Sequence, residues 1–225
     1  MTSWKAIKTL IIGAIFVVPV SAAQAVVIDF TSNAWSGANG TSNHTVGGVT
    51  LSSGDDKMTF NEGVGEIAGC NAAGSGSTSL ACNGDGIGIT NDEITEGGNQ
   101  TLTVAFDEDL IGPVNIKAIH LLDLFADERG GETAVISWGS ETINPKASGS
   151  HNPGGYWEVN FPYDNNGNLL IMAGIGSFTL TGFGDHFSDY ALARIEFSAV
   201  PIPAAFWMFG TALIGFVAMS RRTKV

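Results

Sequence analysis

Basic side chains are scarce in the middle of this chain. Of its ten Lys and Arg, Lys5, Lys8, Arg221, Arg222 and Lys224 lie near the two ends. Residues 26–200 keep only Lys57, Lys117, Arg129, Lys146 and Arg194 against all 22 Asp and Glu, a formal −17 within a chain total of −12. So acidic a body repels nucleic acid and anionic lipid, and leaves neutral glycans, cations and other proteins as partners. Helical periodicity is missing as well: no segment of the body keeps apolar residues three to four apart beyond a turn or two, which excludes a helical bundle or an α/β sheet. Catalytic signatures are also absent. The four histidines, His44, His120, His151 and His186, fit no zinc-binding spacing. There is no Gly-x-Ser-x-Gly elbow, phosphate loop or dinucleotide fingerprint, so neither enzymatic activity nor a cofactor is expected.

What is present is glycine, 30 residues of it, between short runs of alternating apolar and polar side chains. In 100–106, Leu102, Val104 and Phe106 fall on one face and Thr101, Thr103 and Ala105 on the other, the pattern of a half-buried strand. Further strands are predicted at 26–30, 46–52, 57–60, 133–138, 156–161, 169–172, 177–181 and 191–197, and a short one around Ile87 and Ile89. Val114, Ile116, Ala118, Leu122 and Leu124 share one parity with His120 among them; Ala193, Ile195 and Phe197 share another. Turn signals separate these runs, including Arg129-Gly-Gly131 and Asn152-Pro-Gly-Gly155. The reading is an all-β body, an antiparallel sandwich or jelly-roll-like fold, over 26–199.

The two ends read differently. Lys5 and Lys8 precede an apolar core from Leu10 to Val18, Pro19 breaks it, and Ala23-Gln24-Ala25 fits the small-x-small cleavage rule. Residues 1–25 are expected to be a secretory signal peptide, with Ala23 and Ala25 at the cleavage site. This makes the Sec translocon and signal peptidase partners. At the other end, Val200-Pro201-Ile202-Pro203-Ala204 leads into an uncharged run. That run is expected to form a transmembrane helix at about 204–220, with Arg221, Arg222 and Lys224 as a cytoplasmic basic stop.

Val-Pro-Ile-Pro-Ala, then Phe-Gly, then a small-residue-rich apolar run and Arg-Arg resembles the C-terminal sorting signal called PEP-CTERM, in its VPLPA-type variant. Ile202 stands where the acid of Pro-Glu-Pro would be. The resemblance covers 200–225, with the motif at 200–205, and implies recognition by an exosortase, a membrane-embedded cysteine peptidase or transpeptidase. It further implies passage through the inner membrane to the cell surface or exopolysaccharide matrix of a Gram-negative bacterium. Gly88-Ile-Thr-Asn-Asp-Glu-Ile94 and Ile119-His-Leu-Leu-Asp-Leu124 look like the body of many such proteins, which are similar to β-sandwiches.

Within the body, Cys70 and Cys82 flank a Gly/Ser-rich stretch. In an exported chain the pair points to a disulfide, with two free thiols or a metal pair as alternatives. No histidine lies between His44 and His120 to complete a metal site. Oxygen-rich turns are the remaining metal candidates: Asp92, Glu93, Asp107 and Asp109 could serve Ca²⁺, and solvated turns are the alternative. Asp185-His-Phe-Ser-Asp189 imitates a triad only locally. Trp35, Trp138, Tyr156 and Trp157 would either stack on a glycan or belong to the core and rim of the sandwich. A carbohydrate-binding module carried by the same tail is therefore the alternative function.

Overall fold

The computed structural model describes residues 25–60, 69–71, 80–90, 93–95, 100–127, 130–149, 153–161, 172–184 and 188–200. The strands are β1 (Ala25–Asp29), β2 (Asn43–Val46), β3 (Val49–Ser52), β4 (Met58–Phe60), β5 (Ile87–Ile89) and β6 (Thr101–Phe106). They continue with β7 (Val114–Leu122), β8 (Ala134–Trp138), β9 (Glu141–Ile143), β10 (Trp157–Asn160), β11 (Ser177–Gly182) and β12 (Ala191–Ala199). One sheet runs β10-β7-β12-β5-β4, with β1 also on β12; the other runs β2-β3-β6-β11-β8-β9. Every pairing between these strands is antiparallel. The fold is all-β, as the alternating patterns predict.

The two sheets bury one shared core. Leu102, Val104 and Phe106 of β6 point inward with Val49 and Leu51 of β3 and Phe178 and Leu180 of β11; Ile116 and Ile119 of β7 and Ile195 and Phe197 of β12 come from the other sheet. Phe106 and Phe197 meet between the layers with ring centroids 5.1 Å apart. Each such side chain contributes about 1.5–3 kcal/mol on full burial. Tyr190, fully buried just before β12, donates its hydroxyl to the Thr181 carbonyl at 2.7 Å, tying the start of β12 to the opposite sheet.

Several details depart from the predicted strands. Residues 46–52 are not one strand but a hairpin, β2–β3, turning at Gly47 and Gly48 with φ of 58° and 83°. A two-residue turn with positive φ at both positions matches the strand twist, and Gly adopts it without strain. The parity of β7 also breaks. Ile116 pairs with Phe197 and Ala118 with Glu196, so Lys117 is an extra residue. Beyond that bulge Ile119 and Leu121 face the core, while Leu122 joins a smaller cluster with the cysteines on the other side. A second irregularity between Leu192 and Arg194 sends Ala193 to the same cluster, away from Ile195 and Phe197. An inserted residue reverses every later side chain because the strand period is two. Strand β9 was not among the predicted runs. Of the run 169–172, only Met172 is described, buried outside any strand.

The first and last strands lie side by side: Ala25 is opposite Ser198 and Asp29 opposite Arg194. Among the described residues no helix is long and apolar enough to cross a membrane. Residues 1–24 of the expected leader 1–25, with Ala23, and residues 201–225 of the expected sorting signal, with Pro201, Ile202, Pro203, Ala204, Arg221, Arg222 and Lys224, lie outside the described residues.

Candidate functional site

Sheet topology gathers acids at one corner. Because β7 and β5 both run antiparallel to β12, the end of β7, the start of β12 and the end of β5 come together. Asp123 follows β7, Asp189 precedes β12 and Glu93 follows β5; Asp85, 1% exposed, precedes β5. The backbone is unusual here, with Thr90 and Asp123 at φ of 64° and 60°. Burial first, then the charges of Asp189, Asp123 and Asp85 and a hydrogen bond with Asp189, push the Glu93 carboxyl up to about 9. Glu93 is therefore protonated at neutral pH. Like charges so close to it disfavour its ionised form.

This corner differs from the expected Ca²⁺ candidates. Glu93 is part of it, but its acidic neighbours are Asp189, Asp123 and Asp85, not Asp107 or Asp109. Asp107 sits on an exposed turn, where its Oδ1 accepts the backbone N–H of Asp109 at 2.9 Å and of Leu110 at 3.0 Å. Asp92 lies outside the described residues, as do Asp185 and His186. Among the described residues no group of three or more His, Cys, Asp or Glu is arranged to hold a metal ion. Sequence spacing missed Asp85, Asp123 and Asp189 because each belongs to a different strand end.

On the outer face of the same sheet, beyond the bulge, His120 is 3% exposed. Its Nδ1 lies 2.5 Å from the Tyr156 hydroxyl, and its Nε2 lies 3.4 Å from Glu196 Oε1, which also holds Arg194 Nη2 at 3.0 Å. Burial lowers the imidazole below its ordinary 6.5, with Arg194 acting the same way and Glu158 and Glu196 opposing. Burial raises the Tyr156 hydroxyl, so both rings are neutral at pH 7. The bulge explains why His120 breaks the apolar parity predicted for it.

The disulfide closes over this face. Cys70 and Cys82 are bonded, with Cα atoms 5.7 Å apart and a sequence separation of 12. They pack on Leu122, Ala193, Leu80 and Tyr156. A second set of bonds fastens the segment to β1: Asp29 Oδ2 accepts the Ala81 N–H at 2.7 Å, and Thr31 Oγ1 accepts the Cys82 N–H at 3.0 Å.

The chain matches no protein-family model, no curated protein and no solved structure.

The aromatic candidates do not assemble into one platform. Trp35 and Trp138 are 2% and 8% exposed; Trp138 packs edge-on against Phe161. The half-buried pair divides: Trp157 leans on the main core and Tyr156 on the cysteine cluster.

Proposed function

We propose that this chain is an exported, non-enzymatic protein of the cell surface or exopolysaccharide matrix, sorted through its C-terminal segment by an exosortase. The observation that carries the reading is the order Val200-Pro-Ile-Pro-Ala, uncharged apolar run and Arg221-Arg222, which follows one residue after the last core strand. A signal-peptide-like beginning and a disulfide in the body agree with an oxidising, exported setting. In this reading residues 1–25 are removed by signal peptidase after Sec export, and the segment at about 204–220 crosses the inner membrane transiently. The acidic sandwich is the delivered cargo, with extracellular polysaccharide as a partner and no nucleic acid. The test is fractionation of the native host with and without its exosortase. The chain is expected in the surface or matrix fraction of the parent and in the inner membrane of the exosortase-deficient strain. An unchanged distribution contradicts the proposal.

A further inference from the structure

Val26, Val27 and Leu110 are the large apolar side chains that stand out in water among the described residues, at 45, 46 and 75% exposure. They are not scattered. Val26 and Leu110 line the same cleft, of about 390 Å³, and Val27 is the next residue along β1. The cleft is the open side of the sandwich, between β1 of one sheet and the β2–β3 hairpin tip of the other. Ile28, Val46 and Phe197 form its walls, with Trp35, on the short 3₁₀ segment that connects β1 to β2, among them. Isolated exposed apolar residues need no explanation, but an apolar cleft rimmed by them marks a binding surface.

Two features specify the occupant. The first is backbone. Phe30 N–H bonds the Ala193 carbonyl, and Phe30 keeps the register in which Ile28 faces Ile195. In an antiparallel ladder alternate residues bond the partner, so Ile28 and Val26 face β12 while Val27 turns its N–H and C=O outward. β1 pairs with β12 alone among the described strands. Ala25–Ile28 carries neither charge nor proline, the devices that protect an edge from another strand. The second feature is charge. Leu110 stands on a turn with Asp107, Glu108 and Asp109, all exposed, in a body of formal −17. A second copy would bring the same excess of negative charge to the contact, so self-pairing is opposed by repulsion.

We infer that this cleft receives an extended, basic amphipathic segment of a partner polypeptide. The segment adds to the edge of β1 at Val27 that no other described strand pairs, sends alternate apolar side chains into the cleft between Val26 and Leu110, and sets Lys or Arg against Glu108 and Asp109. Strand addition supplies affinity through the main chain and specificity through alternate side-chain pockets. The inference is independent of how the tail is processed.

The experiment uses the full chain in phosphatidylcholine nanodiscs and three eight-residue peptides: alternating Lys-Leu, alternating Glu-Leu and alternating Lys-Ser. Calorimetry is expected to show binding of the Lys-Leu peptide alone, weakening as salt is raised. Leu110→Ser, at a side chain already in water, is expected to weaken it at least tenfold, and the Glu108→Gln/Asp109→Asn double variant to remove most of the salt dependence. Unchanged circular dichroism shows that each variant is folded. No heat with the Lys-Leu peptide, equal binding of the Glu-Leu peptide, or full affinity in Leu110→Ser overturns the inference. Crosslinking between copies of the parent that disappears in Leu110→Ser also overturns it, by assigning the cleft to self-association.

Discussion

Glu93, half-buried, and His120, buried, are shifted in opposite senses, and together they shape the pH dependence of stability. The Glu93 carboxyl is raised from 4.5 to about 9 in the fold, so the fold favours its protonated form. Its stabilising share is complete below about pH 4.5 and is lost as the pH rises toward 9. Glu93→Gln is therefore expected to flatten the fall in Tm between pH 5 and pH 9 and to exceed the parent at the alkaline end. Parallel Tm curves for the two proteins would count against the cluster. His120 is lowered from 6.5, so the fold favours the neutral ring: its share is present above about pH 6.5 and is lost as the pH falls below that value. An NMR titration of the His120 imidazole is expected to give a midpoint under 6.5; a midpoint above it would show that Glu158 and Glu196 outweigh burial. Asp29 acts through geometry. Its carboxylate accepts from Thr31 N–H, Thr31 Oγ1 and Ala81 N–H at 2.9, 2.6 and 2.7 Å. Asp29→Ala removes charge-assisted bonds worth about 1.5–3 kcal/mol each at most and leaves the Ala81 amide to find water, so a loss on the order of 2 kcal/mol is expected in urea unfolding.

At the scale of elements, the two described ends of the 70–82 loop are joined by the Cys70–Cys82 bond, Ala81 and Cys82 are tied to Asp29 and Thr31 at the end of β1, and Gly69, beside Cys70, abuts Gly154 of the Pro153–Gly155 turn. Gly154, at φ 60°, has the Gly69 carbonyl oxygen where a side chain would begin, 2.2 Å from an ideal Cβ. Gly154→Ala is expected to cost more than about 1 kcal/mol, the penalty of the backbone conformation alone, because the Gly69 segment must also shift. Replacing both cysteines with serine reopens a short loop in the unfolded chain and is expected to cost about 3 kcal/mol by loop-closure entropy. A change under 1 kcal/mol would mean that the hydrogen bonds to Asp29 and Thr31 already hold the segment. Local patterns made most strands legible: the alternation around Leu102, Val104 and Phe106 left little choice of face. The bulges at Lys117 and Ala193 were not legible, since an extra residue is defined by the partner strand. The same holds for the acid corner. Its members stand on separate strand ends, and only pairing brings them together, whereas Cys70 and Cys82 were close enough in sequence to suggest their bond.

Over the whole molecule, the first strand closes on the last. Ala25, the expected cleavage residue, faces Ser198, two residues before Val200. Pairing β1 with β12 closes the longest loop among the described strands, so these contacts form only once the last strand is available. The two ends of the body are thus neighbours at one sheet edge, and the proposed trimming of the leader and of the tail would take place beside each other. Cleavage after Ala25 removes a single residue of β1 and leaves Val26, Val27 and Ile28 in register with Phe197, Glu196 and Ile195. A variant lacking residues 26–29 is expected to expose the β12 edge and to aggregate at concentrations where the parent stays in solution, which light scattering would register. Under the proposed sorting, the terminal apolar segment is an address trimmed from an exported sandwich. The most direct measurement is the intact mass of the protein isolated from its native host. A start at Val26 is expected, with a chain that ends, or carries an adduct, between Pro201 and Ala204. A mass that retains Arg222 and Val225, from cells with an active exosortase, would contradict it.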